Sequence, residues 1–343
     1  MDPSQEPFRS NTKRNRDNKA VNTTILIISD SHGEGVETKP GHPVDVVIHC
    51  GDLTHGSTLR EYRQTLQLLQ ELDAPLKLVI PGNHDFTLDP AAFRRIVSEA
   101  PEGITREEVC ETYGDDGEAR RLFEEDTRIK FLEEGTYRFD LENGASLTVY
   151  ASPFTLSKDG GMAFQYHPAN GHRFDITQGT DIVMTHGPPL GLLDRGGPGG
   201  RLGCPDLFAA VARARPRMHC FGHVHGGWGA KRVAWRRMVS EMPSHFTDIE
   251  HGACEVIATI RSLERKEEGT GTGMLLEECR RRGYWREACR YEDGDEDRGD
   301  CTLFVNAALE GVSEDFPRHP IWIVDLELPV SHHWRESQGE ASM

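Results

Sequence analysis

Five short apolar runs in this chain end in residues that bind cations or phosphate, and this recurrence limits the available folds more than any other feature. Ile25-Leu26-Ile27-Ile28-Ser29 delivers Asp30-Ser31-His32, and Val46-Val47-Ile48-His49-Cys50 stops at Gly51-Asp52. The run 76–80 enters Pro81-Gly82-Asn83-His84-Asp85, and 181–185 enters His186-Gly187-Pro188-Pro189. The fifth, 218–221, breaks into Gly222-His223-Val224-His225-Gly226-Gly227-Trp228. β-Branched runs without polar alternation belong to strands covered on both faces. α/β sheets build their sites at the carboxyl ends of such strands. Each cluster alone is ordinary, since Gly-Asp after a strand is a common turn. Five in one chain point to one shared centre.

The ligand types narrow the chemistry. Carboxylate, amide and imidazole are present and thiolate is absent from the clusters, a set that suits Mn, Fe or Zn better than a structural zinc cage. In an extended Asp-x-His or His-x-His, alternate residues face one side, so each pair can reach one centre.

The rest of the chain is read as support. Its 343 residues, 36% of them hydrophobic, suffice for a real core. The expected organisation is a polar arm (1–20), a catalytic core (21–229), a partly flexible insertion (230–300), closing strands (301–330) and a tail (331–343). Deletion of 264–300 is expected to leave a folded enzyme. Apolar spacing predicts helices over 58–72, 90–100, 118–125 and 205–214, with Pro90 suited to a first turn. Asn143-Gly144 predicts a hairpin between 137–141 and 146–150. The acidic stretch 101–134 is expected to be a surface cap. The loop that follows Phe154 and carries Phe164, Tyr166 and His167 reads equally as a lid or a plain surface loop.

A formal net charge of −17 opposes stable binding to nucleic acid or an anionic membrane. A small anionic substrate remains compatible if cations offset the field locally. The eight cysteines form no CxxC pair, which points to reduced thiols in the cytoplasm or nucleus rather than to secretion. No stretch approaches the roughly 20 apolar residues of a membrane span.

Asp30-Ser31-His32, Gly51-Asp52, Gly82-Asn83-His84-Asp85, His186 and Gly222-His223-Val224-His225 together resemble the five-block signature of the calcineurin-like metallophosphoesterases. Gly51-Asp52-Leu53-Thr54, Thr185-His186-Gly187-Pro188-Pro189-Leu190-Gly191 and the run from His223 to Gly229 resemble the MPPED-type branch, related to the class III cyclic-nucleotide phosphodiesterases. The resemblance implies a four-layer αββα sandwich, two mixed β-sheets flanked by helices, with a dinuclear site. It assigns Asp30, His32, Asp52 and His225 to one divalent ion and Asp52, Asn83, His186 and His223 to the second. Asp52 would bridge cations about 3.5–4 Å apart, and a bridging water of lowered pKa would attack phosphorus. His84 is implied as the catalytic histidine that protonates the leaving group, with Asp85 orienting its ring. His49, Cys50 and His55 have no place in the signature; Arg195 and Arg201 are candidates for substrate charge.

The function this implies is hydrolysis of small phosphodiesters or cyclic nucleotides. The alternatives are a phosphomonoesterase or protein phosphatase, a nuclease disfavoured by the acidic chain, and a non-catalytic scaffold binding metal or nucleotide. The expected partner is a small phosphate ester; the oligomeric state is left open. The chain departs from the pattern in its long segment between Gly229 and Cys301.

Overall fold

The computed structural model describes residues 20–36, 41–99, 103–196, 200–264, 278–279, 281–289, 301–313 and 316–331. In chain order its main strands are β1 (Ala20–Ile28), β2 (Val46–His49), β3 (Leu76–Val79), β4 (Ile129–Phe131), β5 (Gly135–Asp140) and β6 (Ser146–Ser152). They continue with β7 (Ile182–Thr185), β8 (Met218–Phe221), β9 (Gly229–Ala234), β10 (Glu255–Thr259), β11 (Tyr284–Cys289), β12 (Cys301–Asn306) and β13 (Ile321–Pro329).

β1 shows why two sheets form. Its Ile25 and Ile27 enter one core while Leu26 and Ile28 enter another, so the strand requires a packed layer on each face. It lies inside a six-stranded sheet of order β11-β13-β1-β2-β3-β4, in which β1 to β4 run parallel and β13 runs antiparallel to β1. The second sheet has seven strands in the order β10-β9-β12-β8-β7-β6-β5. Met184 and Cys220 from its strands meet Ile25, Ile27 and Ile48 in the core between the sheets.

Helices cover the two outer faces. α1 (Leu59–Glu71) begins with a Thr58/Glu61 capping box and buries Tyr62, Leu66 and Leu69 against the first sheet. α2 (Pro90–Ser98), with Pro90 at its start, and α3 (Arg106–Tyr113) follow. α4 (Glu118–Glu124) adds Phe123 to the α1 layer. α5 (Pro205–Ala214) packs Leu207, Phe208 and Val211 on Val183, Phe221 and Phe304 of the second sheet. α6 (Ile260–Glu264) follows β10. Helix, sheet, sheet and helix give the expected αββα order. The hairpin across Asn143-Gly144 is β5–β6.

The segment after Gly229 differs from the expected insertion. β9 starts at Gly229 and pairs along its length with β12, while β10 extends the sheet beyond it. Parts of 230–300 therefore belong to the sheets. β11 does too, pairing in parallel with β13 from Tyr284 to Cys289. Of the expected arm at 1–20, Ala20 already belongs to β1 and residues 1–19 lie outside the described residues, as do 265–277, 290–300 and the expected tail beyond 331. No helix among the described residues is long and apolar enough to cross a membrane.

β11 also explains why deleting 264–300 should damage the fold. Its Trp285 packs on Trp322 of β13, with ring centroids 5.9 Å apart, and Trp322 packs on Trp228 at 5.1 Å. Trp228 donates its indole N–H to the Pro320 carbonyl at 3.0 Å, tying the His223–His225 loop to the first sheet. Trp322 is fully buried. Trp322→Ala is expected to lower unfolding free energy by about 3–5 kcal/mol, measured by denaturant titration with tryptophan fluorescence and circular dichroism.

Candidate metal centre

The two sheets bring their strand ends to one place. Beyond β1 the chain turns at Asp30 and His32, whose backbone N–H groups donate to the carbonyls of Gly51 (2.9 Å) and Asp52 (3.2 Å). Asp30, His32, Asp52 and His223 all have left-handed backbones, with φ of 52°, 50°, 51° and 65°. For residues with a side chain such conformations cost about 1–3 kcal/mol each, and they persist only where the surroundings enforce them.

Glycines let the loops converge. A Cβ on Gly82 would stand 2.3 Å from Asp52 Oδ1, and one on Gly222 would stand 2.0 Å from Asp30 Oδ2. The glycine preceding each ligand pair is therefore a packing requirement.

Two sets of donor atoms result. Asp30, His32 and His225 have ligand atoms within 4.8 Å of one another, and so do Asp52, His186 and His223. His225 Nε2 lies 3.3 Å from Asp30 Oδ1, and His186 Nε2 lies 3.3 Å from Asp52 Oδ2. The sets are joined through backbone, the His223 N–H donating to both Asp30 oxygens at 3.0 Å, while the His84 N–H donates to Asp52 Oδ1 at 2.9 Å. Asn83 joins the second set through Oδ1, 3.0 Å from His186 Nε2.

The donor set fits a cation. His186 Nδ1–H donates to the Cys50 carbonyl at 2.9 Å, which turns its other nitrogen toward the Asp52 and Asn83 oxygens. Three acceptor atoms then converge, and only a proton or a metal ion between them satisfies all three. Burial alone would lower the His186 pKa, but Asp52 and then Asp30 raise it to about 9. Burial likewise opposes ionisation of Asp52, yet the His186 ring holds its carboxyl down at about 2. Asp30 is held well below the usual carboxylate range, against burial, by His225 and then His186. The pocket keeps both carboxylates charged and draws positive charge between them.

His84 lies at the rim with Nδ1 on the His55 carbonyl, 2.8 Å away. Asp85 does not orient that ring, contrary to expectation. Its Oδ2 accepts from the Leu53 (3.0 Å) and Gly82 (2.7 Å) N–H groups, and its Oδ1 from the Thr54 N–H (3.0 Å) and hydroxyl (2.7 Å). A fully buried carboxylate with four donors clamps two ligand loops together and has no reach to spare. Burial, with Asp52 nearby, pushes its pKa up to about 7 despite those donors.

Residues with no place in the motif turn out to support it. The Cys50 carbonyl fixes His186, His49 Nε2 contacts Ser31 Oγ at 2.8 Å beneath the Asp30 turn, and the His55 ring stacks on His84 at 5.4 Å. His32, His55 and His84 form a third group of converging nitrogens. His55 lies three residues after Asp52 in the same loop, which is the one signal that could have exposed it. The aromatic loop abuts the centre: the Ala163 N–H donates to the Asn83 carbonyl (3.2 Å), and Asn83 Nδ2 to Met162 Sδ (3.3 Å). Arg95 of α2 ties that loop down through the carbonyls of Gly160, Gly161 and Met162. Arg201 is held by the buried Asp194 at 2.6 Å, and Arg195 sits in a two-residue ladder opposite it.

Residues 23–227 match the calcineurin-like phosphoesterase family, and the chain belongs to it. Metallophosphoesterase domain-containing protein 1 of Homo sapiens is 28% identical over 222 residues, covering 60% of this chain and 62% of that protein. A UPF0046 protein of Caenorhabditis elegans is 27% identical over 233 residues, 65% of this chain and 56% of its own. Both relatives are consistent with the MPPED-type branch. A probable rhamnogalacturonate lyase C of Emericella nidulans is 33% identical over 215 residues, which are 62% of this chain and 18% of that protein. The chain thus spans less than two thirds of the length of each.

Proposed function

We propose that the protein is a dinuclear metal-dependent phosphodiesterase acting on small phosphodiesters or cyclic nucleotides. The observation that carries the proposal is the pair of adjoining donor sets, Asp30/His32/His225 and Asp52/His186/His223, with Asn83 beside the second. Asp52 would bridge them. Two divalent ions, Mn, Fe or Zn by the donor chemistry, would supply Lewis acidity and an activated water when bound.

The chain's own residues do the remainder. Asn83 holds an ion without adding charge where phosphate docks. His84, protonated on both nitrogens, keeps Nδ1–H on the His55 carbonyl and gives its Nε2 proton to the leaving oxygen, ending as the neutral Nδ1–H ring. Similarity to the MPPED-type branch, related to the class III cyclic-nucleotide phosphodiesterases, supports the diester preference.

The test is metal-stripped protein assayed with Mn²⁺ restored. Bis-p-nitrophenyl phosphate is expected to turn over faster than p-nitrophenyl phosphate, with activity dependent on the added ion. The reverse preference would make the protein a phosphomonoesterase. Absence of turnover with two ions bound would make it a binding protein.

A further inference from the structure

Three imidazoles meet at the rim of the centre, and only two of them have a place in the family motif. His32, His55 and His84 each bring a ring nitrogen within 4.8 Å of the other two. Their ring centroids lie 5.6 Å (His32–His55), 5.0 Å (His32–His84) and 5.4 Å (His55–His84) apart.

Backbone carbonyls decide which nitrogens are available. His32 Nδ1 lies 3.0 Å from the Thr54 carbonyl, and His84 Nδ1 lies 2.8 Å from the His55 carbonyl. A carbonyl only accepts, so each Nδ1 carries its hydrogen and each Nε2 is the nitrogen left for a metal ion, whether or not it holds a proton beforehand. The His32 side chain is 7% exposed, and its Nε2 has no hydrogen-bond partner. Beyond β12 the chain crosses the end of β1, with the Ser29 N–H on the Ala307 carbonyl at 3.0 Å, and sets Glu310 Oε2 3.0 Å from that nitrogen. A carboxylate there favours positive charge at the rim. His55 is the exposed member of the three, so its ring is free to turn toward the other two.

We infer that His32, His55 and His84 form a separate, inhibitory Zn²⁺ site at the rim; its inhibitory effect rests on the phosphodiesterase reading. Three imidazoles with no carboxylate among them suit Zn²⁺ better than Mn²⁺. Tetrahedral zinc with bonds near 2.0–2.1 Å sets its nitrogens about 3.4 Å apart, so the rings close by no more than about 1.4 Å. Water can fill the fourth position. Zinc at this site opposes turnover in two ways. It replaces the proton on His84 Nε2, which passes to solvent, so the leaving oxygen loses its acid. It also engages His32 Nε2, whose single lone pair serves one ion at a time, and so withdraws a ligand from the ion held with Asp30 and His225.

The test titrates the Mn²⁺-loaded full chain with Zn²⁺, comparing wild type with His55→Ala and His55→Gln. Bis-p-nitrophenyl phosphate turnover is followed, and bound zinc is measured by elemental analysis after dialysis. Wild type is expected to carry one zinc ion per chain more than either variant. The variants should need at least about tenfold more Zn²⁺ for half-inhibition, each rate taken relative to that protein's own Mn²⁺-dependent rate. Zinc that merely replaces manganese at the centre is common to all three proteins and cancels in the comparison. Equal melting of the metal-free proteins is expected, and it separates lost binding from unfolding. Equal zinc content and equal sensitivity in wild type and variants would overturn the site. If Mn²⁺ supports no turnover, the phosphodiesterase reading fails, while the difference in bound zinc still decides whether the rim holds an ion.

Discussion

Asp52→Asn is expected to reduce diester hydrolysis by about a thousandfold or more and to remove at least one bound ion, because metal stabilisation of transition-state charge is worth several kcal/mol. The carboxylate accepts the His84 N–H on Oδ1 and faces His186 on Oδ2. Replacing one oxygen with an amide group removes the charge and sets N–H donors where a cation belongs. The metal-free variant should melt below wild type while remaining folded, since the substitution removes one partner of the buried Asp52–His186 pair. Wild type should gain stability from Mn²⁺, about 2.7 kcal/mol at a hundred times the dissociation constant, and the variant should gain less. Melting with and without Mn²⁺, alongside turnover, measures both effects. Two ions and full turnover in the variant would overturn the assignment.

The strand-end donor residues were legible because each lies next in sequence to the strand that aims it. A run such as Val46 to His49 reveals its own burial, and the glycine after it marks where loops crowd. Charged partners distant in sequence are not legible in this way. β9 contains Lys231 and Arg232 and so resembles solvent-facing text, yet Arg232 pairs with Glu255 on β10 and with Glu287 on β11 at 2.9 Å. Only the fold brings those carboxylates together, and it makes a charged strand a sheet interior. A bulge in the pairing between Ala230 and Lys231 further disrupts the alternation.

The partners of Asp85 and His84 were hidden for another reason. Asp85 follows the histidine and seemed its natural orienter, but four donors from two loops occupy it. The His84 ring is held instead by a backbone carbonyl, a group every residue carries, so no side-chain type advertises it. Glu310 was equally hidden, since its approach depends on the β12 extension crossing the end of β1.

His84→Ala separates proton transfer from metal binding. Only the backbone amide of His84 touches Asp52, so removing the ring leaves that carboxylate in place, and both ions should remain. Turnover should fall by about 10²–10⁴-fold, the usual contribution of a positioned general acid, with less effect on KM. The loss should depend on the leaving group. p-Nitrophenolate departs without a proton, so bis-p-nitrophenyl phosphate should suffer less than a cyclic nucleotide, whose alkoxide must be protonated. Equal losses on both substrates would make His84 a phosphate contact. Loss of an ion would place its ring among the ligands, with His32 and His55 as neighbours, their centroids 5.0 Å and 5.4 Å away.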